Sequence, residues 1–267
     1  MMDKIPFDAH RFETAAKHYL AGRPAYAPLL IKRVAALLGL RRTHRVLDLG
    51  CGPGQLALAF APLVKQVTGM DPEPEMLRVA AANAREAGID LKLVQGSSYD
   101  LAPVLGRFRL VSIGRAFHWM DRADTLKRLD ELIEPAGGIA LFADRHPGLP
   151  DNDWRIEYER LIESYIGEDS HRRIRKSPTW RRHEAYLLDS CFSHLERLSV
   201  IERREVSIDS LVDRVFSMSS TSPGKIGDRA GRLEAEVRAA MQAFARDGRI
   251  TEVVESEALV AMRPKAP

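Results

Sequence analysis

The chain has 267 residues, 45% of them hydrophobic, enough for a sizeable core in one α/β domain with insertions or in two domains. Forty basic side chains against 37 acidic ones leave a formal net charge of +3, which argues against a dedicated nucleic-acid binder with its marked basic excess. No apolar run approaches the roughly 20 residues that span a bilayer, and Met1-Met2-Asp3-Lys4-Ile5-Pro6-Phe7 lacks an apolar signal core. The two cysteines, Cys51 and Cys191, make neither a disulfide framework nor a Cys-x-x-Cys metal pair, so a reduced, cytoplasmic setting without a membrane partner is expected.

The first 35 residues read as helix, with Leu29, Leu30, Val34, Leu37 and Leu38 at helical spacing and Pro24 and Pro28 as breaks or starts. From residue 45 short apolar runs alternate with helical ones. Strands are predicted at Arg45–Leu49, Gln66–Met70, Leu91–Val94, Leu110–Gly114 and Ile139–Ala143. Helices are predicted at Leu56–Leu63, Glu75–Ala87 and Ala123–Leu132. This rhythm implies parallel βαβ units and an open, doubly wound sheet. Residues 151–190 then read as helices rich in aromatic and charged residues, followed by a strand at Leu195–Val206. Helical pattern returns at Ile208–Met218 and Arg229–Arg246, and Ile250–Met262 reads as a final antiparallel strand. The densest basic stretch, His171-Arg172-Arg173-Ile174-Arg175-Lys176 with Arg181-Arg182-His183, is either a solvated helix face or a contact to an anionic substrate or partner.

Gly50-Cys51-Gly52-Pro53-Gly54 follows the first strand and opens a helix. Glycine at such a turn permits dihedrals that side chains forbid and lets a ligand approach the backbone. Asp48 precedes the turn, and Asp71 ends the second strand, where an acid accepts both hydrogen bonds of a ribose diol. A dinucleotide fingerprint would need Gly or Ala at its last position; Gln55 stands there, and no basic residue lies in the turn to meet a phosphate. A plain tight turn is the remaining structural reading.

Asp48-Leu49-Gly50-Cys51-Gly52-Pro53-Gly54 resembles the first motif of class I S-adenosyl-L-methionine-dependent methyltransferases. Thr68-Gly69-Met70-Asp71-Pro72 with Pro74-Glu75-Met76-Leu77 resembles the second, Val94-Gln95-Gly96-Ser97-Ser98 the third and Ile113 to Trp119 the fourth. Leu132-Ile133-Glu134-Pro135-Ala136-Gly137-Gly138 resembles the turn before the fifth strand. The resemblance implies a Rossmann-like, seven-stranded, doubly wound α/β sheet with the last strand antiparallel and helical cap insertions. It divides the chain into an N-terminal helical lid (1–35), a cofactor-binding core (36–146), a helical cap insertion (147–190) and a C-terminal part (191–267). That last part completes the sheet and adds cap helices at about 207–247.

For the cofactor, the resemblance puts Asp48, Gly50, Cys51 and Gly52 along the methionine part, Asp71 on the ribose, Pro72 and Met76 against the adenine, and Ser97 and Ser98 at the adenine edge. Many relatives carry aspartate where Ser97 stands. Arg115, in the fourth motif, joins the cofactor contacts. Tyr19-Leu20-Ala21-Gly22-Arg23-Pro24-Ala25-Tyr26 resembles a segment of trans-aconitate methyltransferase-like proteins that folds over the cofactor. There Tyr19 would close the site, and Arg23 is suited to a bidentate pair with the methionine carboxylate.

Methyl transfer is an in-line displacement in which positioning and desolvation supply much of the rate. His118, after the fourth strand, is either an acceptor-facing general base or a structural histidine beside Trp119. Trp119, Trp154 and Tyr158 are further candidates for holding the acceptor; Trp180, Tyr186, Phe216 and Met218 are either pocket or core. The fourth motif lacks the D/N-P-P-Y/F sequence that resembles the signature of amino-methylating enzymes acting on nucleobases and glutamine, which favours a small-molecule acceptor, methylated on oxygen or nitrogen. No nucleic-acid partner is expected, and no Asp/Glu/His cluster has metal-ligand spacing. Methylation of RNA or protein, and a cofactor-binding regulator without turnover, are the alternatives. The sequence leaves the oligomeric state open.

Overall fold

The computed structural model describes Asp8 and residues 10–264, apart from the side chains of Ser170 and His171. Residues 1–7 and Ala9 of the expected lid and the side chain of His171 therefore lie outside the described residues. In chain order the elements are α1 (Ala16–Gly22), α2 (Pro28–Leu37), β1 (Arg45–Leu49), α3 (Gln55–Phe60), β2 (Gln66–Asp71), α4 (Pro74–Glu86), β3 (Lys92–Gln95), β4 (Phe108–Gly114), α5 (Arg122–Leu132) and β5 (Ile133–Arg145). There follow α6 (Trp154–Tyr165), α7 (Ser170–Lys176), α8 (His183–Leu188), β6 (His194–Ser207), α9 (Ile208–Phe216), α10 (Pro223–Ile226), α11 (Ala230–Gln242) and β7 (Arg249–Met262).

The strands form one seven-stranded sheet in the order β3-β2-β1-β4-β5-β7-β6. β1 pairs in parallel with both β2 and β4, and β7 runs antiparallel to both β5 and β6. Alternate side chains of a strand face opposite sides, and both sides of this sheet are covered. Leu47, Val111, Ile139 and Leu259 pack into one core with Leu126 and Leu129 of α5. Val46, Leu110, Ala140 and Val260 pack into the other with Leu30, Val34, Leu56 and Phe60 of α2 and α3. The chain leaves β1 toward β2 and β3, then crosses back to β4 and β5. A crevice therefore opens beyond the C-terminal ends of β1 and β4, the switch point where such sheets bind ligands.

β5 begins at Ile133, well before the predicted Ile139, because the Pro135–Gly138 turn is absorbed into the pairing with β4 through a register shift. β6 and β7 pair along their whole lengths, from His194↔Met262 to Ser207↔Arg249, whereas β5 reaches only Arg145↔Glu255. Glu202–Ser207 and Arg249–Val254 thus project past the sheet as a two-stranded ribbon on the ligand side. Such a ribbon is marginal alone. Here it is covered by a separate core of Trp154, Tyr158, Leu211, Val215, Leu233 and Val237 from α6, α9 and α11, together with Val206 and Ile250 of the ribbon itself.

The N-terminal segment joins this cap by close backbone approach. A Cβ on Gly22, the last residue of α1, would sit 2.3 Å from the backbone nitrogen of Arg214 in α9, so only glycine lets the helices touch there. Arg214, itself buried, donates from Nε to the Gly22 carbonyl (3.0 Å) and from both Nη atoms to Glu252 of β7 (2.8 and 3.1 Å). His146 Nε2 lies 3.1 Å from the same carboxylate. Burial opposes the charge on Glu252, but His146 and Arg214 outweigh it and hold the carboxyl down at about 2. α8, within the stretch expected as cap, instead turns back against α5 and β6, where Leu187 and Phe192 are fully buried in the sheet's core.

Candidate active site

The crevice is a cleft lined by residues that follow β1, β2, β3 and β4 and by residues of the N-terminal segment. Its floor is the glycine turn. Gly50 has φ +69°, and a Cβ there would meet that of Ala116 at 2.8 Å, so glycine is required twice over. Gly50 and Cys51 donate their N–H groups to the Met70 carbonyl (2.8 and 3.1 Å), tying the turn to β2. Asp71, at the end of β2, accepts from Gly52 N (2.8 Å) and Glu73 N (3.0 Å). Burial pushes its carboxyl up to about 6 despite these two bonds.

Gly50, Gly52, Asp71, Pro72, Met76, Ser97 and Ser98 all line the cleft. Ser97 Oγ is engaged locally: it donates to Asp100 Oδ2 (2.8 Å) and accepts from Tyr99 N (3.2 Å), capping a short helical turn. Asp48 does not reach the wall. It lies beneath the turn, where one oxygen accepts from Ala57 N of α3 (3.0 Å) and the other from Ser112 Oγ of β4 (2.8 Å). Burial raises it to about 7. Cys51 is likewise not on the wall; its Sγ borders the space where a Cβ on Gly69 of β2 would stand, 3.1 Å away. Asp48 and Cys51 therefore shape the turn from below, a correction to their expected contact with the ligand.

The other end of the cleft carries Arg115, Ala116, Trp119 and Met120 after β4, with Arg11, Phe12 and Tyr19 closing from the N-terminal side. Arg115 has φ +54°, an uncommon conformation for a non-glycine residue, which its side chain stabilises. Its guanidinium pairs with Asp144 of β5, donates to Gln55 Oε1 (3.1 Å) and the Pro24 carbonyl (2.8 Å), and lies 4.4 Å from the Tyr26 ring. Burial works against its charge, but Tyr26 and Asp144 raise it further. Arg23 sits just behind the wall. It donates to the Ser217 carbonyl (3.4 Å) and lies 5.6 Å from the Tyr19 ring, while its Nε is buried without a hydrogen-bond partner; burial lowers its pKa.

His118 stands beside the cleft rather than on its wall. Its ring packs on Trp119 at 4.5 Å, and its Nε2 accepts from Arg175 Nη1 at 3.2 Å. Arg175 also lies 5.6 Å from the Trp119 ring, and Arg11 4.7 Å from it. Of the basic stretch, Arg172 and Lys176 pair with Glu163, so only part of it faces the site. Trp154 and Tyr158 are not at the cleft. They are 2% and 3% exposed in the cap core, donating to the carbonyls of Thr251 (3.2 Å) and Leu211 (2.6 Å), because their amphipathic rings serve better to join cap helices to the ribbon. Phe216 packs on His18 in the same region, and Trp180 and Tyr186 lie 4.0 and 4.1 Å from the guanidinium of Arg122. Sequence reasoning missed Arg11, Phe12 and Glu73. Glu73 carried a signal, an acid immediately before Pro74 at a helix start; Arg11 and Phe12 carried none, since only the tertiary fold brings them here.

Among the described residues no group of three or more His, Cys, Asp or Glu side chains is arranged to hold a metal, and no helix is long and apolar enough to cross a membrane. The sheet order, the glycine turn and the acid at the end of β2 define a Rossmann-like protein with a cleft at the switch point of its sheet. The family described as a methyltransferase domain matches residues 46–137. An uncharacterized methyltransferase of Bacillus subtilis is 32% identical over 134 residues, 49% of this chain and 53% of that protein. The match thus spans about half the length of that relative. An uncharacterized methyltransferase of Mycobacterium bovis is 27% identical over 217 residues, 80% of each chain. The fold is similar to that of a methyltransferase from Geobacter sulfurreducens solved with S-adenosyl-L-homocysteine, with a TM-score of 0.51, 16% identity, and coverage of 99% of this chain and 100% of that one. Residues 46–137 thus match a methyltransferase domain, and the fold of the whole chain is similar to that of solved methyltransferases.

Proposed function

We propose that the chain methylates an oxygen or nitrogen of a small molecule. The observation that carries this reading is the aromatic lining of the concave cleft. Phe12, Tyr19 and Trp119 line it, and α1 is fixed to α9 through Gly22 and Arg214. A concave cleft lined by aromatic rings suits a small acceptor. The near-balanced charge supports the same reading.

The residues present fit the cofactor: a backbone cradle at Gly50 and a carboxylate at Asp71 on the wall of the cleft. When bound, S-adenosyl-L-methionine supplies a methyl group on a positively charged sulfur. In this reading Gly50 and Gly52 present their backbone to the methionine part, while Arg23, behind the wall rather than on it, supports Tyr19 instead of taking the carboxylate expected of it. Arg115 braces this end through Asp144 and Pro24. Asp71 accepts from the ribose, Pro72 and Met76 pack on the adenine, and the backbone of Ser98 meets its edge. Trp119 and Met120 flank the acceptor and help exclude water, so the chain's contribution is chiefly positioning and desolvation.

Incubating the protein with labelled methyl donor and a metabolite extract, then isolating labelled product, tests the proposal. A low-mass product supports it. Label in RNA, lost on nuclease treatment, or in protein would replace it. Cofactor binding with no product from any extract would favour a regulator.

A further inference from the structure

The two edges of the sheet are finished differently. β3, at one edge, is 4 residues long and begins with Lys92, which leaves little to pair with. β6, at the other, runs for 14 residues without a proline and pairs with β7 one residue to one throughout, so no bulge turns it aside. Arg33 Nη1 of α2 donates to the Ser199 carbonyl from beside the sheet (3.2 Å). Just past the strand, in the same register, Ile208 N donates to the Gly248 carbonyl (3.4 Å), which puts the even-numbered residues in the bonds to β7. Ladder bonds alternate, so the N–H and C=O groups of Leu195, Arg197, Ser199, Ile201, Arg203 and Glu205 point outward.

Two exposed apolar side chains flank this edge, one on each face of the sheet. Leu198 and Val200 pack toward α2, and alternation turns Ile201, 60% exposed, to the opposite face. Leu29, 48% exposed, stands one turn before Arg33 on the same side of α2. We infer that β6 is a dimer interface, across which a second copy of this chain adds its own β6 antiparallel on a two-fold axis through Ile201. Charge complementarity selects that register. Centred on Ile201, the pairing sets Ile201 opposite its counterpart and Arg197 opposite Glu205 twice, and no like charges meet. Centred on Ser199 it sets Glu196 opposite Glu202, centred on Val200 it sets Arg197 opposite Arg203, and centred on Glu202 it sets that residue opposite itself. The same axis brings Leu29 toward its counterpart on the α2 face. Arg33, exposed at this contact, gives up the Ser199 carbonyl to the N–H of Arg203 from the second copy. Arg203 and Glu205 belong to the ribbon that carries the cap, so dimerisation turns a marginal two-stranded ribbon into a four-stranded one.

Sedimentation velocity between about 1 μM and about 100 μM, on the parent protein, Ile201→Lys and Glu205→Lys, tests the interface. The parent is expected to dimerise in this range, with a Tm that rises with concentration. Ile201→Lys sets two ammonium groups on the axis and is expected to weaken the dimer about a hundredfold. Glu205→Lys, which faces Arg197 twice, should weaken it about tenfold. Both positions are exposed, so circular dichroism should find both variants folded. A nitroxide on Ile201→Cys, in a Cys191→Ser background, should show dipolar broadening between the two copies. A parent that stays monomeric throughout the range would overturn the inference. So would a dimer that keeps its affinity in Ile201→Lys or shows no broadening at residue 201, since its contact then lies elsewhere.

Discussion

The two ends of the cleft are built in opposite ways. The proposed nucleoside end is made of short, consecutive pieces: the turn after β1, the β2–α4 junction with Asp71 to Met76, and Ser97–Ser98 after β3. Most of its polar geometry is backbone N–H meeting a nearby carboxylate. The proposed acceptor end draws Arg11, Phe12, Tyr19, Arg115, Trp119 and, behind the Trp119 ring, Arg175 from segments far apart in the chain. Guanidinium groups on rings, carbonyls and buried acids hold it together. Chemistry common to a cofactor can be local and repeated. An acceptor site has to be assembled by the cap, and its integrity depends on cap stability.

The sharpest break of this contrast is Arg214→Leu. It leaves Glu252, 1% exposed, facing only His146, and releases the Gly22 carbonyl. Breaking a buried pair from one side costs about 3–5 kcal/mol, read as a lower denaturant midpoint. The pH dependence follows the same pair. Glu252 is held near 2, below its usual 4.5, so its contribution is present above about 4.5 and fades as pH falls toward 2. Arg214→Leu is expected to flatten that acid limb in urea titrations.

Next in size is Asp71→Asn, aimed at the nucleoside end. Losing the charged acceptor is expected to weaken S-adenosyl-L-homocysteine binding about a hundredfold, ~2.7 kcal/mol. Because burial lifts Asp71 to about 6, the parent protein should bind less tightly as pH drops through that value and the carboxyl takes up a proton. Asp71→Asn should be flat across the same window. A parent protein whose affinity is unchanged between pH 7.5 and pH 5 would remove Asp71 from the ribose.

The same contrast governs what can be read from sequence. The core was legible: β1 was predicted at its observed bounds, and β2 and α4 within a residue, because period-two and helical patterns are local and the glycine turn punctuates them. Asp71, Pro72, Met76, Ser97 and Ser98 sit at fixed offsets from those elements, so their place on the cleft wall was legible too. Asp48 was found but misplaced by one layer, since an acid at a strand end can face the ligand or cap the next helix, and only its bonds to Ala57 and Ser112 decide. Trp154 and Tyr158 misled because an aromatic residue reads alike whether it lines a pocket or packs a cap. Phe12 and Arg175 reach the site through long-range packing, which no local pattern records.

Trp119→Ala sharpens the comparison from the acceptor side. Its ring stands between Arg11 and Arg175 and meets Phe12 edge-on at 5.9 Å. Truncation should raise acceptor KM about tenfold, on the order of 1.4 kcal/mol, with cofactor affinity within twofold of the parent. A loss shared equally by cofactor and acceptor would mean that the two ends are not separate.

The smallest effect is expected from His118→Ala. A general base must reach the proton it removes, directly or through one water. Nε2 of His118 already accepts from Arg175, and the ring lies flank-on to Trp119 outside the cleft wall. Removing the imidazole takes away a prop for Arg175 and Trp119 but leaves Met120, Ala116 and the glycine turn in place. With the true acceptor, kcat should fall less than threefold, about 0.6 kcal/mol, and the pH–rate profile should keep its shape. A drop of a hundredfold or more, with the neutral limb of the profile lost, would instead make His118 the base and require the β4–α5 loop to swing its ring into the cleft during turnover. His118→Gln separates the two outcomes, since it preserves an acceptor for Arg175 without a titrating group. Restoration of kcat by Gln identifies a prop, and continued loss identifies a proton carrier.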